Sequence, residues 1–392
     1  MNYNFDELVE RRGTGCVKWD EISDPDVFPL WVADMDFKAA PAIQEAIRKR
    51  AEHGVFGYTV VEDDYYEAVI SWFRRRHNWD IRREEILYTT GVVPAMSVAI
   101  KALTMHGEKV LILSPDYNCF FSSVRNNGCE VLETILRRTG DTFEVDFEDF
   151  EAKCADEKTT VFLLCNPHNP CGRVWTKTEL ERMNDICMKH GVKVISDEIH
   201  CELVMPGYQF QPFAAVSEAC RQNSVILNSP SKSFNIAGLQ AANIICAQPE
   251  WRRRLDRAIN INEVCDLNPF GPVALIAAYN ESEDWLDELN EYLWGNYQTL
   301  CAFAAEHLPQ WKVCRLEGTY LPWIDITATG ISSQDYCDDL LSETKVWVNP
   351  GTMYGALSGE GYIRMNIACP RSRLLEALER IAKVEPSSNP PA

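Results

Sequence analysis

The sequence has no apolar run long enough to cross a membrane, because its hydrophobic stretches stay below the roughly 18–20 residues that a bilayer requires. Positive charge is also scarce: 58 acidic residues outnumber 38 lysines and arginines and leave a formal net charge of −20. Nucleic-acid phosphates would be repelled by such a surface, so we expect no nucleic-acid partner and no membrane span. The first residues lack the apolar core of a secretory signal, and we expect no such signal.

Paired cysteines are missing as well. The chain has 15 cysteines, an odd number, and none of them form a C-x-x-C pair. Disulfide frameworks and zinc sites need closer, patterned spacing, whereas cysteines in apolar runs, such as Cys165 and Cys246, are typical of a protein core. The seven histidines do not cluster with other ligand types, apart from His200 near Asp197 and Glu198. We therefore expect a reducing, cytoplasmic location and no metal.

The chain does contain a regular alternation of short apolar strands and helices. With 392 residues, 46% of them hydrophobic, it can bury a sizeable core. The predicted strands of this part are 86–89, 109–113, 130–135, 159–164, 192–196, 225–228 and 241–247. Strands rich in β-branched residues that alternate with helices predict an α/β fold, with a mostly parallel sheet covered by helices on both faces.

After Pro309 the pattern changes. The predicted elements there are strands at 311–314, 319–326, 346–348 and 362–366 and helices at 332–342 and 371–384. This pattern predicts a smaller α+β domain. We expect a large α/β domain at 50–280, with residues 1–49 and 281–392 forming an N-terminal arm and the small domain. The tail from Pro386 onward is expected to fray.

Four polar stretches follow predicted strands, where the sites of parallel sheets collect. They are 90–94 with Gly91 at a helix start, 166–172 with two Asn-Pro pairs, 197–200 with Asp197, and 229–234 with Lys232. Each also has an ordinary interpretation: a strand–helix turn, a tight turn, a helix N-cap and a solvated surface lysine. Two prolines within five residues make the second stretch rigid, which would aim the amide of Asn169.

Together these stretches offer an amine, a carboxylate, an anion pocket and an aimed amide. A lysine amine with a lowered pKa can form a Schiff base with an aldehyde. Backbone N–H groups at a helix N-terminus bind phosphate. An acid can pair with a pyridinium nitrogen, so the combined set meets the requirements of pyridoxal 5′-phosphate (PLP).

Six motifs carry a resemblance that spans nearly the whole chain. They are WVADMDF from Trp31, HGVFGY from His53, NPHNPCGRVWT from Asn166, VISDEIH from Val194, SKSFNIAGL from Ser231 and GYIRMNIACPRS from Gly361. With these motifs the sequence resembles the fold-type I, aspartate-aminotransferase-like PLP enzymes. Within them it resembles the cystathionine β-lyase (C–S lyase) group of the MalY/PatB type. The resemblance implies the fold-type I PLP-dependent transferase fold.

The resemblance also implies roles at the cofactor ring. Lys232 and Tyr117 are the candidate catalytic residues: Lys232 would bind the cofactor's aldehyde and later remove the Cα proton, and Tyr117 would stack on the ring. Asp197 would keep the pyridine nitrogen protonated, and Asn169 would donate to the phenolic oxygen. His200 stands where many relatives carry tyrosine, and it would contact that oxygen or pack beside it.

At the phosphate, the backbone N–H groups of Val92 and Val93 and the hydroxyls of Ser229 and Ser231 would bind. Tyr58 resembles the tyrosine that reaches the phosphate of the neighbouring subunit. This implies a homodimer with shared active sites.

For the substrate, Arg364 would bind the α-carboxylate as a bidentate fork, unless a structural acid partner occupies it instead. Ala33 would touch the same carboxylate through its backbone. Two positions depart from ordinary aminotransferases: Gln240 stands where many place a phosphate-binding arginine, and Cys171 replaces the usual threonine of the Asn-Pro loop.

Lysine chemistry alone does not select the reaction. Expulsion of a thiolate from Cβ gives a thiol, pyruvate and ammonia, whereas return of the proton to the cofactor gives transamination. The resemblance favours α,β-elimination from L-cystathionine or a related cysteine S-conjugate. An aminotransferase, or a lyase with an added regulatory protein-binding role, is the alternative.

Overall fold

The computed structural model describes residues 2–384, so the predicted fraying of the tail from Pro386 lies outside the described residues. The strands in chain order are β1 (Phe28–Pro29), β2 (Ile86–Thr89), β3 (Lys109–Ser114), β4 (Glu130–Ile135), β5 (Arg137–Thr139), β6 (Thr142–Glu144), β7 (Thr159–Cys165), β8 (Lys193–Asp197), β9 (Ser224–Asn228), β10 (Ala242–Cys246), β11 (Lys312–Val313), β12 (Trp323–Asp325), β13 (Val346–Trp347), β14 (Asn349–Pro350) and β15 (Tyr362–Arg364).

The α-helices are α1 (Val17–Asp20), α2 (Pro41–Glu52), α3 (Asp63–His77), α4 (Val92–Leu103), α5 (Asn118–Asn126), α6 (Phe147–Cys154), α7 (Lys177–Lys189), α8 (Phe213–Val216), α9 (Glu218–Gln222), α10 (Pro249–Ile261), α11 (Gly271–Glu281), α12 (Glu283–His307), α13 (Ser333–Asp339) and α14 (Arg371–Ala382). Local signals explain several starts. Pro41 opens α2, and Thr176 with Glu179 forms a reciprocal capping box before α7. No helix within residues 2–384 combines the length and hydropathy needed to cross a bilayer.

The main sheet has seven strands in the order β2-β10-β9-β8-β7-β3-β4. The pairs β3–β4, β3–β7, β7–β8 and β8–β9 are parallel, whereas β10 runs antiparallel to both of its neighbours. The predicted α/β fold with a mostly parallel sheet is therefore confirmed. Its central strands β7, β8 and β9 are almost entirely buried because helices cover both faces.

Alternate residues of each central strand enter two different cores. In β7, Val161 and Leu163 pack into a cluster with α4, α5 and α10, while Phe162 and Leu164 pack into the larger cluster on the other face. Strand side chains point alternately to opposite faces, so one continuous apolar run supplies both cores.

A smaller antiparallel sheet has the order β11-β12-β15-β14. The strand predicted at 319–326 is shorter, because Pro322 has no N–H to donate and β12 begins only at Trp323. The strand predicted at 346–348 is β13, which pairs with β1 of the N-terminal arm rather than with this sheet. The β5–β6 hairpin and β14 were not predicted, and α13 ends early in a π-helical turn (Leu340–Thr344).

Residues 31–37, which we name the arm segment, are held by side chains from distant parts of the chain. These side chains donate to its backbone carbonyls. Asn349 and Arg364 donate to the carbonyl of Trp31, Asn366 donates to those of Val32 and Asp34, and Asn235 donates to those of Met35 and Phe37, at 2.6–2.9 Å. A segment without regular structure is thereby satisfied, as buried backbone groups must be.

Replacing Asn366 by alanine leaves the Asp34 carbonyl and the Ala368 N–H without the partner that Asn366 supplies, whereas the Val32 carbonyl keeps the N–H of Asp34 at 3.0 Å. Buried polar groups left unpaired cost about 1–3 kcal/mol each, so we expect the free energy of unfolding to fall by at least about 2 kcal/mol. Amide hydrogen exchange of the arm segment should also accelerate. Asn260→Ala, at an exposed position of α10, is the control. Equal stability and exchange in both variants would contradict this role of Asn366.

Candidate active site

A cavity of about 260 Å³ lies at the carboxyl ends of the parallel strands. Its lining includes nine of the residues predicted from sequence, namely Ala33, Val92, Val93, Tyr117, Asn169, Asp197, His200, Ser231 and Lys232. The loops after β3, β7, β8 and β9 carry most of them, because parallel strands end at one edge of a sheet. Cys165, Ile199, Ala237 and Gln240 also line the cavity.

A larger, more open cleft of about 500 Å³ lies elsewhere, between the end of α3 and the start of α12. Its charged groups pair with one another: Arg76 binds Asp287 at 2.9 Å, and the His77 ring lies 2.6 Å from Glu202. These ion pairs account for the charges there.

Two groups of metal-ligating side chain types come together within the described residues. They are His77 with Cys201 and Glu202, and Asp116 with Cys165 and His168. His77 and Glu202 already bind each other, and the sequence-based expectation of no metal stays a prediction.

Lys232 extends into the cavity from the loop after β9. Its Nζ donates to the backbone carbonyl oxygen of Ala33 at 2.6 Å. Burial lowers the pKa of Lys232 to about 8, although the nearby Asp34 carboxylate opposes this shift. A much larger fraction of its amine is therefore neutral near pH 7–8 than in a solvated lysine, as nucleophilic and basic lysines require.

Asp197 lies at the end of β8 and is buried. Its Oδ1 accepts the N–H of Ile199 at 3.1 Å, and no ion pair joins it within residues 2–384. Burial raises the pKa of Asp197 to about 7, and the positive charge of Lys232 partly opposes that shift. A buried carboxyl group without an ion pair can bind a cationic N–H partner.

Arg364 lies behind Asn169 rather than on the cavity lining. Its Nη1 donates to Asn169 Oδ1 at 3.1 Å, which leaves the amide nitrogen of Asn169 available, and its Nη2 donates to the Trp31 carbonyl at 2.8 Å. The Arg364 Nε is buried without a partner, and no acid pairs with this guanidinium among the described residues. The structural acid partner considered from the sequence is thus not found there, and the free donor suits an added carboxylate.

His200 is buried beside the cavity, and its ring lies edge-on to that of Tyr320 at 6.0 Å between centroids. Burial lowers the pKa of His200 to about 3, and the charges of Lys232 and Arg364 add to the effect, so the ring is neutral. Its Nδ1 has no hydrogen-bond partner in the described part of the chain. Contact with a cofactor oxygen stays a prediction.

The N-terminus of α4 forms the opposite end of the cavity. First-turn N–H groups have no acceptor within their own helix, so those of Val92 and Val93 can bind an anion. Ser231 and Gln240 lie at the same cavity. Lys232 is the only lysine or arginine on the described lining, so neutral donors dominate this end.

Two predicted phosphate ligands are placed differently. The Ser229 hydroxyl is not on the lining: it donates to the Ala241 carbonyl at 2.6 Å and accepts the Ser231 N–H at 3.1 Å, which shapes the loop. Tyr58 lies outside this cavity and its side chain is 97% exposed. Cys171 is buried and also lies off the lining.

Some residues near the cavity were assigned no role from the sequence. Asp116 and Glu198 are buried acids beside the cavity, and burial raises the pKa of both, that of Glu198 to about 8. Tyr320 reaches the Ala33 carbonyl from a distant segment. The acids could have been noticed as charges at strand ends, whereas nothing local marks Tyr320.

These residues fit PLP. The cavity combines a lysine amine with a lowered pKa, a buried acid without an ion-pair partner, an available amide and a helix N-terminus. The unpartnered Nε of Arg364 adds a donor suited to an amino-acid carboxylate. Each of these groups matches one part of the cofactor or of an amino-acid substrate.

Comparison with known proteins agrees with this fit. The family model for aminotransferase class I and II matches residues 25–381, so the chain belongs to that family. The chain is 41% identical over 382 residues to cystathionine β-lyase PatB of Bacillus subtilis, covering 96% of this chain and 98% of that protein. It is 35% identical to protein MalY of Escherichia coli, covering 95% and 96%. Within the family, the chain is a member of the MalY/PatB group.

A solved structure shares the fold over its full length. Cystalysin from Treponema denticola, whose crystal structure contains PLP, superposes with a TM-score of 0.94. The sequence identity is 34%, and the match covers 98% of each chain. The fold-type I PLP transferase fold is therefore confirmed.

Glu198 makes the stability of the cofactor-free protein pH-dependent. Its pKa is about 8 in the folded state and near 4.5 when unfolded, so between pH 6.5 and 8 only the folded state holds this proton. Stability therefore falls as pH rises through this window, by up to about 1.4 kcal/mol per pH unit for one group. Asp197, with a pKa raised to about 7, adds to the decline in the lower part of this window, and Lys232, with a pKa lowered to about 8, opposes it near pH 8. His200, with its lowered pKa, does not titrate in this window.

Glu198→Gln, which is neutral and of the same shape, should flatten this decline in thermal unfolding measured at pH 6.5, 7.25 and 8. Glu67→Gln, at an exposed position of α3, should keep the wild-type slope. A wild-type slope in Glu198→Gln would mean that Glu198 is ionised in the folded protein.

Proposed function

We propose that this chain is a PLP-dependent carbon–sulfur lyase that converts L-cystathionine or a related cysteine S-conjugate to pyruvate, ammonia and a thiol. The observation that carries the proposal is the complete set of Lys232, Asp197, Asn169 and Arg364 in a MalY/PatB-group chain. The substrate is a small-molecule amino acid, whose α-carboxylate Arg364 can bind through its unpartnered Nε.

When bound, PLP supplies an electron sink for the negative charge left on Cα after deprotonation. Lys232 would hold the cofactor's aldehyde, and its Nζ would accept the proton from the substrate's Cα. Its lowered pKa leaves more of the amine neutral and able to accept that proton. Asp197 would pair with the pyridine nitrogen and keep it protonated, and Arg364 would orient the α-carboxylate.

The product identifies the reaction. We expect wild-type protein loaded with PLP to release pyruvate from L-cystathionine, and Lys232→Ala to lose at least about 1,000-fold in kcat, because the lysine both anchors the cofactor and moves the proton. Pyruvate is measured by coupled lactate dehydrogenase. Lys101→Ala, at an exposed position of α4, is the matched control.

A 2-oxo acid that retains the substrate's sulfur would instead identify an aminotransferase. Full activity in Lys232→Ala would remove this lysine from the mechanism.

We further propose that two copies of the chain share their sites. The loop that contains Tyr58 exposes a contiguous run of apolar side chains, with Val55 at 63%, Phe56 at 55% and Val60 at 78%. Such a patch is costly in water and is typical of an interface. Tyr58 would then reach the partner's phosphate end. Because all 15 cysteines are free thiols, we also propose a reducing, cytoplasmic location.

Mixing two defective variants tests the shared site. Lys232→Ala and Tyr58→Phe each impair every site of their own homodimers. In a hybrid dimer one site combines an intact Lys232 with an intact Tyr58, so random mixing restores about one quarter of the sites. We expect pyruvate release well above that of either variant alone. Activity equal to the mean of the two separate variants would rule out sites shared through Tyr58.

A further inference from the structure

The carbonyl oxygen of Ala33 accepts two hydrogen bonds from side chains. Lys232 Nζ donates at 2.6 Å, and the Tyr320 hydroxyl donates at 3.0 Å. A backbone carbonyl has two lone pairs, so both donors can bind it at once. The lysine and the tyrosine are thus joined through one atom of the arm segment, although Tyr320 and Ala33 are 287 residues apart in the chain.

Tyr320 is fully buried, and its surroundings fix its position. Its own carbonyl accepts the N–H of Ile367 at 3.1 Å, and the preceding Thr319 donates its N–H to Leu203 at 2.7 Å. The ring also packs edge-on against His200 of the cavity. A buried hydroxyl on a fixed backbone can aim one hydrogen bond accurately.

The Ala33 carbonyl differs from its neighbours in the arm segment. The carbonyls of Val32 and Asp34 are both bound by Asn366, whereas within residues 2–384 the Ala33 carbonyl is bound only by Lys232 and Tyr320. If Lys232 is committed to a cofactor aldehyde, its amine leaves this carbonyl. Tyr320 alone then keeps a buried acceptor satisfied and in place.

We propose that Tyr320 is a positioning residue for Lys232, acting through the Ala33 carbonyl. It fixes the acceptor that receives the free amine, so that the amine stands ready both to capture the aldehyde of PLP and to take a proton from Cα. The role in taking the Cα proton rests on the proposed lyase function, whereas the role in PLP capture does not depend on it.

Tyr320→Phe removes the hydroxyl and keeps the ring. We expect the rate at which cofactor-free protein captures added PLP, followed by the visible absorbance of the lysine-bound cofactor, to fall about tenfold, since small misplacements of reacting groups have effects of this size or larger. In the loaded enzyme kcat should fall by a similar factor with KM changed less than about twofold, because Tyr320 does not contact the substrate.

Tyr65→Phe is the matched control. It also removes a fully buried hydroxyl, but one that donates to Asn243 at 2.8 Å and not to a group of the cavity. Capture and kcat close to wild type are expected for this variant. Equal behaviour of the two phenylalanine variants would overturn the proposal and make Tyr320 a core residue.

A second measurement tests the proposal even if Tyr320→Phe folds poorly. Replacing Tyr320 by 3-fluorotyrosine keeps the ring and the hydroxyl but makes the O–H a stronger donor, so the pH midpoint of PLP capture should move from the wild-type value. An unchanged midpoint would overturn the proposal. If wild-type protein captures PLP but releases no pyruvate, the lyase function fails, while the capture rates still decide the role of Tyr320.

Discussion

The burial of ionisable groups at the carboxyl edge of the sheet is the constraint on which this site depends. Lys232 and Asp197 lie in one cavity without forming a direct ion pair, so each charged form loses solvation that the other does not restore. For that reason the pKa of Lys232 is lowered to about 8 and that of Asp197 is raised to about 7. The protein by itself therefore favours an uncharged amine at Lys232 and a carboxyl group at Asp197 that can pair with a cationic N–H.

The arm segment links this edge to the rest of the molecule. Its carbonyls accept donors from Lys232 and Asn235 on one side and from Arg364 and Asn366 on the other. The substrate binding proposed for Arg364 and the proton transfer proposed for Lys232 would consequently depend on one stretch of backbone. A shift of that backbone would move the hydrogen-bond acceptors of both residues, because Lys232 and Arg364 each donate to one of its carbonyls.

Much of the fold and of the cavity could be predicted from sequence. Alternating strands and helices bring all strand-end motifs to one edge, so Lys232, Asp197 and Asn169 could be grouped without coordinates. Contacts between distant residues could not be predicted, because no local pattern encodes the bond of Arg364 to Asn169 or of Tyr320 to Ala33. For the Ser229 hydroxyl, predicted from sequence at the phosphate, the structure shows a local partner instead: the hydroxyl donates a hydrogen bond to the backbone carbonyl of Ala241.

The long reach of the arm segment also has a consequence for how the protein is made. Trp31 and Val32 find their partners in Arg364 and Asn366, 333 and 334 residues later. On the ribosome, these donors are therefore synthesised long after the carbonyls that they bind. The large sheet can form earlier, but the arm segment cannot be fixed at the edge of that sheet until Arg364 and Asn366 have emerged. A chain cut before these two residues lacks the hydrogen bonds that hold Trp31 and Val32 in place.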